Sequence, residues 1–135
     1  MSGLLPVNPA DLAAPRGYSH GMLAPAGGRL LAIAGQVAWD GECSLVGDDF
    51  ATQFGQALAN VVAVVREAGG EPGHLAQLTI FVIDHAEYLA HTREVGEAYR
   101  RIVGRHFPAM ALVEVKALLE PGAKVEIQGL AVLPA

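Results

Sequence analysis

The tightest constraint on the fold is one apolar stripe near the middle of the chain. Phe50, Phe54, Leu58, Val61, Val62 and Val65 recur at spacings of three and four, so they share one face of a helix. Asp48 or Asp49 stands ready to cap its first turn, Gly69-Gly70 ends it, and Pro72 prevents its continuation. A helix apolar on one face must lay that face on another element. The flanking segments supply strands. Leu78, Ile80 and Val82 alternate with Gln77, Thr79 and Phe81 across a segment from Leu75 to Ile83.

Tyr18 to Leu23 and Arg29 to Val37 have strand character upstream, and the turn chemistry of Pro25-Ala26-Gly27-Gly28 predicts that they form a hairpin. A second helix is expected from about Ala86 to Gly104, with Tyr88, Leu89, Val95, Tyr99, Ile102 and Val103 as its stripe; Pro108 biases the residue before it away from helix. Ala109 to Lys116 and Lys124 to Leu133 complete the strands, joined by a turn at Glu120-Pro121-Gly122. Residues 1–17 contain three prolines and no clear periodicity, and are expected to form an extended or loosely ordered arm. The order β-β-α-β-α-β-β predicts an α+β two-layer sandwich, with two helices on one face of a sheet. Apolar residues on the other face would then need a second subunit to cover them.

Length and charge narrow the function classes. The 135 residues fit one domain over 1–135, and the 52% hydrophobic fraction is high for so small a body, which favours a closed oligomer. A net charge of -5, with no run of Lys/Arg denser than Arg100-Arg101, disfavours nucleic acid as a partner. Apolar stretches such as Leu30 to Ala34 are far too short to span a membrane. Met1 to Pro9 lacks the basic region and apolar core of a signal peptide, so a cytoplasmic location is expected. Cys43, the single cysteine, excludes an intrachain disulfide and most cysteine-based metal sites. Asp84-His85 and His91 do not have a dependable metal-ligand spacing, and there is no Gly-rich phosphate loop.

Six strings, in order across residues 18–132, carry a resemblance. They are Tyr18-Ser19-His20-Gly21; Ile33-Ala34-Gly35-Gln36-Val37; Gln56 to Val61; Leu78 to Asp84; Phe107 to Val115; and Val125 to Val132. Together they resemble the reactive-intermediate-deaminase family, also called Rid, YjgF or L-PSP. The resemblance implies a chorismate-mutase-like sandwich and a homotrimer whose sheets face inward to form a barrel-like core. It also implies small-molecule pockets between subunits. In the deaminases these pockets hydrolyse small imines or enamines to a keto acid and ammonia, with no metal or organic cofactor.

The same resemblance points to particular residues. Glu126, in Val125-Glu126-Ile127, matches the glutamate that holds the attacking water; otherwise it is a structural glutamate paired across the sheet or a subunit boundary. Tyr18 matches a pocket-lining tyrosine, against the plainer reading of a half-buried aromatic between subunits. His20, two residues on, shares its strand face, where it would titrate usefully or simply be satisfied by backbone groups. Gly35 and the backbone of the fourth strand near Ala111 offer polar atoms to a ligand. Two positions depart from the deaminase pattern: Met110 stands where Phe-Pro-Ala is followed by a substrate-gripping arginine, and Ala34 stands where a serine precedes Gly-Gln. Methionine cannot make the bidentate ion pair of an arginine and is instead flexible, polarisable filler. Arg16, Arg93 and Lys116 do not stand at the missing arginine's position and are expected to be solvated. Two classes of function follow: hydrolysis or tautomerisation of a small imine, enamine or related reactive intermediate that lacks the standard α-carboxylate or carries it elsewhere, and a non-catalytic trimer that binds a metabolite or serves as a scaffold. Ribonuclease action fits the acidic charge poorly.

Overall fold

The computed structural model of the chain describes residues 2–135; Met1, which the expected single domain includes, lies outside the described residues. The strands are β1 (Leu5–Val7), β2 (Gly21–Leu23), β3 (Arg29–Gln36), β4 (Leu75–Val82), β5 (Ala109–Glu114) and β6 (Val125–Leu133). The helices are α1 (Phe50–Glu67), α2 (His85–Ala90) and α3 (Thr92–Ile102), with a 3-10 turn at Pro72–His74. One sheet has the order β3-β6-β4-β5; β6 runs antiparallel to both neighbours and β4 is parallel to β5. The connections β3 to β4 and β4 to β5 both join parallel strands and step the same way along the sheet. Right-handed crossovers therefore put all three helices on one face, giving the α+β two-layer sandwich.

Helix α1 is bounded by local chemistry. The Asp49 side chain accepts from Thr52 N at 3.0 Å. At the other end Gly69 has φ +90, Gly70 N donates to Val65 O and Gly69 N to Arg66 O, which is a Schellman ending. The stripe from Phe50 to Val65 is buried on Leu78, Ile80, Val82, Val125 and Ile127. Burying those six helix side chains contributes on the order of 10 kcal/mol before entropic costs. In β6, Val125, Ile127, Gly129, Ala131 and Leu133 face this core, while Glu126, Gln128 and Leu130 face away.

Two expectations are corrected. The segment before Arg29 does not form a hairpin with β3. The turn itself closes (Gly28 N to Pro25 O, 3.3 Å), but β2 pairs antiparallel with β1, with Leu5 opposite Leu23. The cause lies downstream. Ser19, buried, donates its N–H to Pro108 O at 3.1 Å and its hydroxyl to Phe107 O at 2.6 Å, so the chain before β2 is held at the β5 edge of the sheet and β3 starts at the other. The arm is thus extended and takes part in pairing. The second helix is also not continuous. His91 leaves helical geometry at φ -126, ψ 23, and its Nδ1 lies 2.7 Å from Glu87 O, satisfying a carbonyl at the end of α2. Leu89 consequently points into solvent, while Val95, Ala98 and Tyr99 carry the buried face of α3.

Candidate functional site

Strand pairing sorts the candidate residues onto two faces. On the face away from the helices, Glu126 is directly opposite Phe81, which in turn is opposite Val113. The adjacent row is Gln128, Thr79 and Ala111. Between Ile33 and Gln36 the β3–β6 register slips, so Ala34 and Gly35 together face Gln128, a β-bulge. The bulge brings the residue 35 backbone onto Glu126. A Cβ there would lie 2.9 Å from the Glu126 carboxyl carbon and would collide with its Oε2, so only glycine leaves room for this carboxylate. Ala34 is exposed on the same face, and Gln36 Nε2 donates to its carbonyl at 3.1 Å.

Met110 lies on the opposite face. It pairs in register with Leu78 and packs against the helix-side core. It lines a cavity of about 310 Å³ between β5 and α3, whose walls include Phe54, Ile80, Val95, Tyr99 and Phe107. Tyr99 and Phe107 stack at 5.7 Å with planes 8° apart, and the Tyr99 hydroxyl donates to His106 O at 2.5 Å. Burial raises the Tyr99 pKa, which keeps it a neutral donor. Gly17, Gly96 and Arg100 also line the cavity. Gly96 sits inside α3, where glycine costs about 0.5–1 kcal/mol relative to alanine.

The arm places Tyr18 and His20 at the start of β5, beside the Ser19–Ala109 bridge. Their rings meet edge to face at 5.3 Å. His20 Nε2 is 2.7 Å from Ala13 O, and a carbonyl only accepts, so this nitrogen carries the proton; His20 N also donates to Asn8 Oδ1 at 2.8 Å. The His20 ring is thus held by the arm through the Ala13 carbonyl. Tyr18 stands far from Glu126 within the chain: about 13 Å along the strands and about 14 Å across the three strand spacings from the arm through β5 and β4 to β6. Arg93 is solvated and pairs with Glu97 at 3.4 Å, while Arg16 and Lys116 are exposed. Among the described residues no three His, Cys, Asp or Glu side chains are grouped to hold a metal, and no helix is long and apolar enough to cross a membrane.

Sequence reasoning missed two amides that brace the segments leading into β6 and out of β3. Gln53, fully buried in α1, donates Nε2 to Gly47 O (3.2 Å) and Gly122 O (3.1 Å), and its Oε1 accepts from Lys124 N (2.9 Å), two residues before Glu126. Two turns later Asn60 donates to Val37 O (3.1 Å) and Trp39 O (2.9 Å), just beyond the Gly35 bulge, and is itself held by Gln56 at 2.9 Å. A polar residue within an apolar stripe was the available signal for Gln53. At the end of β5, Glu114 accepts from the N–H and ring of His85, which hold its carboxyl below the usual range.

Comparison with known proteins agrees with this architecture. The endoribonuclease L-PSP family profile matches residues 8–133. The 2-iminobutanoate/2-iminopropanoate deaminase of Salmonella typhimurium is 34% identical over 105 residues, 78% of this chain and 80% of that protein. A Rid-family protein of Yersinia pestis, YyfB, described as of unknown function, superimposes with a TM-score of 0.86 at 32% identity, covering 97% of this chain and 99% of that one. The YjgF gene product of E. coli superimposes with a TM-score of 0.65 at 31% identity, covering 85% and 87%. The chain belongs to the Rid/YjgF/L-PSP family and has its chorismate-mutase-like α+β fold.

Proposed function

We propose that this chain assembles as a homotrimer with small-molecule pockets between subunits, and that each pocket hydrolyses an imine or enamine without a metal or organic cofactor. The observation that carries this reading is the division of the candidate residues. Glu126 with Gly35, and Met110 with its cavity, lie on opposite faces of one sheet, so a single chain cannot present both to one ligand. A neighbouring subunit can: the Glu126 face of one chain meets the β5 edge of the next, bringing Tyr18 and the Met110 cavity opposite the carboxylate. The relatives named as imine deaminases support the chemistry.

In that pocket Glu126 accepts a proton from a water aimed at the imine carbon. The new C–O bond forms as the C=N π bond opens, the nitrogen is protonated, and the C–N bond breaks to release ammonia and leave a carbonyl. Tyr18 orients the substrate, and Gly35 and the strand backbone near Ala111 offer it polar contacts. Ala34 and Met110 favour a second reading, a non-catalytic metabolite-binding trimer, because neither supplies the polar contact its position has in the deaminases. Glu126→Gln separates the two. Loss of a positioned general base predicts a fall in hydrolysis of about 100-fold or more, with ligand affinity retained. A rate within about threefold of native would remove Glu126 from the mechanism.

A further inference from the structure

We propose that the Met110 cavity accepts the aromatic side chain of a 2-imino acid, or of its 2-oxo acid product, with Arg100 holding the carboxylate at the rim; this rests on the hydrolase reading above and names the substrate class of that site. The cavity measures about 310 Å³ and its walls are carbon-rich: Phe54, Val95, Tyr99, Phe107 and Met110. The methyl or ethyl group of the imines for which the deaminase relatives are named would leave most of it unfilled. A phenyl ring would extend the aromatic packing of Tyr99 and Phe107, whose own rings stack on each other at 5.7 Å. The Tyr99 hydroxyl is engaged by His106 O, so this wall presents ring surface to the cavity.

Gly96 is the second observation. It lies in the interior of α3 without a positive φ, and an added Cβ would meet no atom within 4 Å. Neither backbone conformation nor close packing demands glycine there. Its effect is to leave open space in the cavity wall, at the expense of helix stability. Arg100 follows one turn later on the same helical stripe, exposed, and belongs to none of the ion pairs among the described residues. An apolar hole with an unengaged guanidinium beside it matches a ligand with an apolar body and a carboxylate. The arginine absent from position 110 is thus replaced from the helix, in a position that suits a longer substrate.

The reaction is R–C(=NH)–COO⁻ plus water giving R–C(=O)–COO⁻ plus NH₃, with R a benzyl-like group. Water oxygen bonds to C2, the C2–N bond breaks, and both water protons end on nitrogen; no oxidant or reductant is involved.

The test is calorimetric titration of the assembled protein with phenylpyruvate, pyruvate and phenylacetone, which lacks the carboxylate. Phenylpyruvate is expected to bind at least about tenfold more tightly than pyruvate. Gly96→Phe, which fills the cavity, should abolish that preference; Gly96→Ala should fold, melt at higher temperature than native and bind phenylpyruvate more weakly. Arg100→Gln should weaken phenylpyruvate about tenfold and leave phenylacetone unchanged. Equal affinity for the two keto acids, no binding of phenylpyruvate, or a preference indifferent to Gly96→Ala would overturn the assignment. Ammonia release from freshly generated imines, measured in parallel, separates the two layers of the argument. Tight phenylpyruvate binding with no hydrolysis of its imine sinks the hydrolase reading and leaves the cavity assignment standing. Hydrolysis of 2-iminopropanoate with no response to aromatic ligands does the reverse.

Discussion

Replacing Gln53 by leucine tests how the site is held. The two side chains are close in size, so packing in α1 is retained while three hydrogen bonds disappear: those to Gly47 O and Gly122 O and the one from Lys124 N. Gln53 is only 2% exposed, so water has little access to the groups left behind. Each bond is worth about 0.5–1.5 kcal/mol net, and orphaned partners push the total toward the upper end, giving about 3–4 kcal/mol. For a chain of this size that corresponds to a fall in melting temperature of roughly 10–15 °C. The same change releases the loop that carries Lys124, two residues from Glu126, so activity below the melting transition should fall as well. Denaturant unfolding followed by circular dichroism gives the stability, and ammonia release gives the activity. A destabilisation under about 1 kcal/mol would show that the loop finds other partners and that Gln53 does not hold it.

Other outcomes follow from the same structure. Asp49→Ala removes the α1 cap and should cost about 1 kcal/mol at neutral pH. The Thr52 hydrogen bonds, the side-chain one first, lower the Asp49 pKa below its ordinary 3.8, so the cap's contribution is full above that value and fades as pH falls through the lowered one; thermal melts of both proteins should converge there. Toward 2-iminopropanoate the native protein should be about 30- to 1,000-fold slower than a deaminase with arginine after Phe-Pro-Ala, with Met110→Arg recovering part of the rate unless the new charge destabilises the assembly. Rates equal to that deaminase would refute the role assigned to Met110. Light scattering should give a mass of about three times the 14.1 kDa chain, and a monomer mass at micromolar concentration would refute the trimer.

Elements set by local chemistry were legible in the sequence. Helix α1 starts at Asp49 and stops at Gly69-Gly70 because its cap and its Schellman ending use neighbouring residues. The partner of β2 was not legible, since the competition is settled by Ser19 reaching Phe107, 88 residues away. The break at His91 has no glycine or proline to announce it; a ring nitrogen on Glu87 O does the work. Glu126 and Met110 could be singled out by their strings, but their opposite faces follow from pairing register, including a bulge at Ala34-Gly35 that no periodicity reveals. Charge showed a similar limit. Arg100-Arg101 is a modest pair in the sequence, yet Arg66 and Arg105 join it around a groove of about 450 Å³. Three of the four, Arg66, Arg100 and Arg101, lie in the last turn of α1 or α3, where cations complement the helix dipole.

The central claim is that each site is shared between subunits, and mixed trimers test it directly. Glu126→Gln and Gly96→Phe chains, carrying different affinity tags, are each expected to be inactive toward an aromatic 2-imino acid when assembled alone. Co-expressed and purified through both tags, they form trimers in which some interfaces join an intact Glu126 face to an intact cavity. Random 1:1 assembly places both native halves together at about one interface in four, and selection for both tags raises that share, so about a quarter or more of native activity should return. A site contained within one chain predicts no recovery, because every chain in the mixture carries a defect, and mixed trimers as inactive as their parents would contradict the shared site.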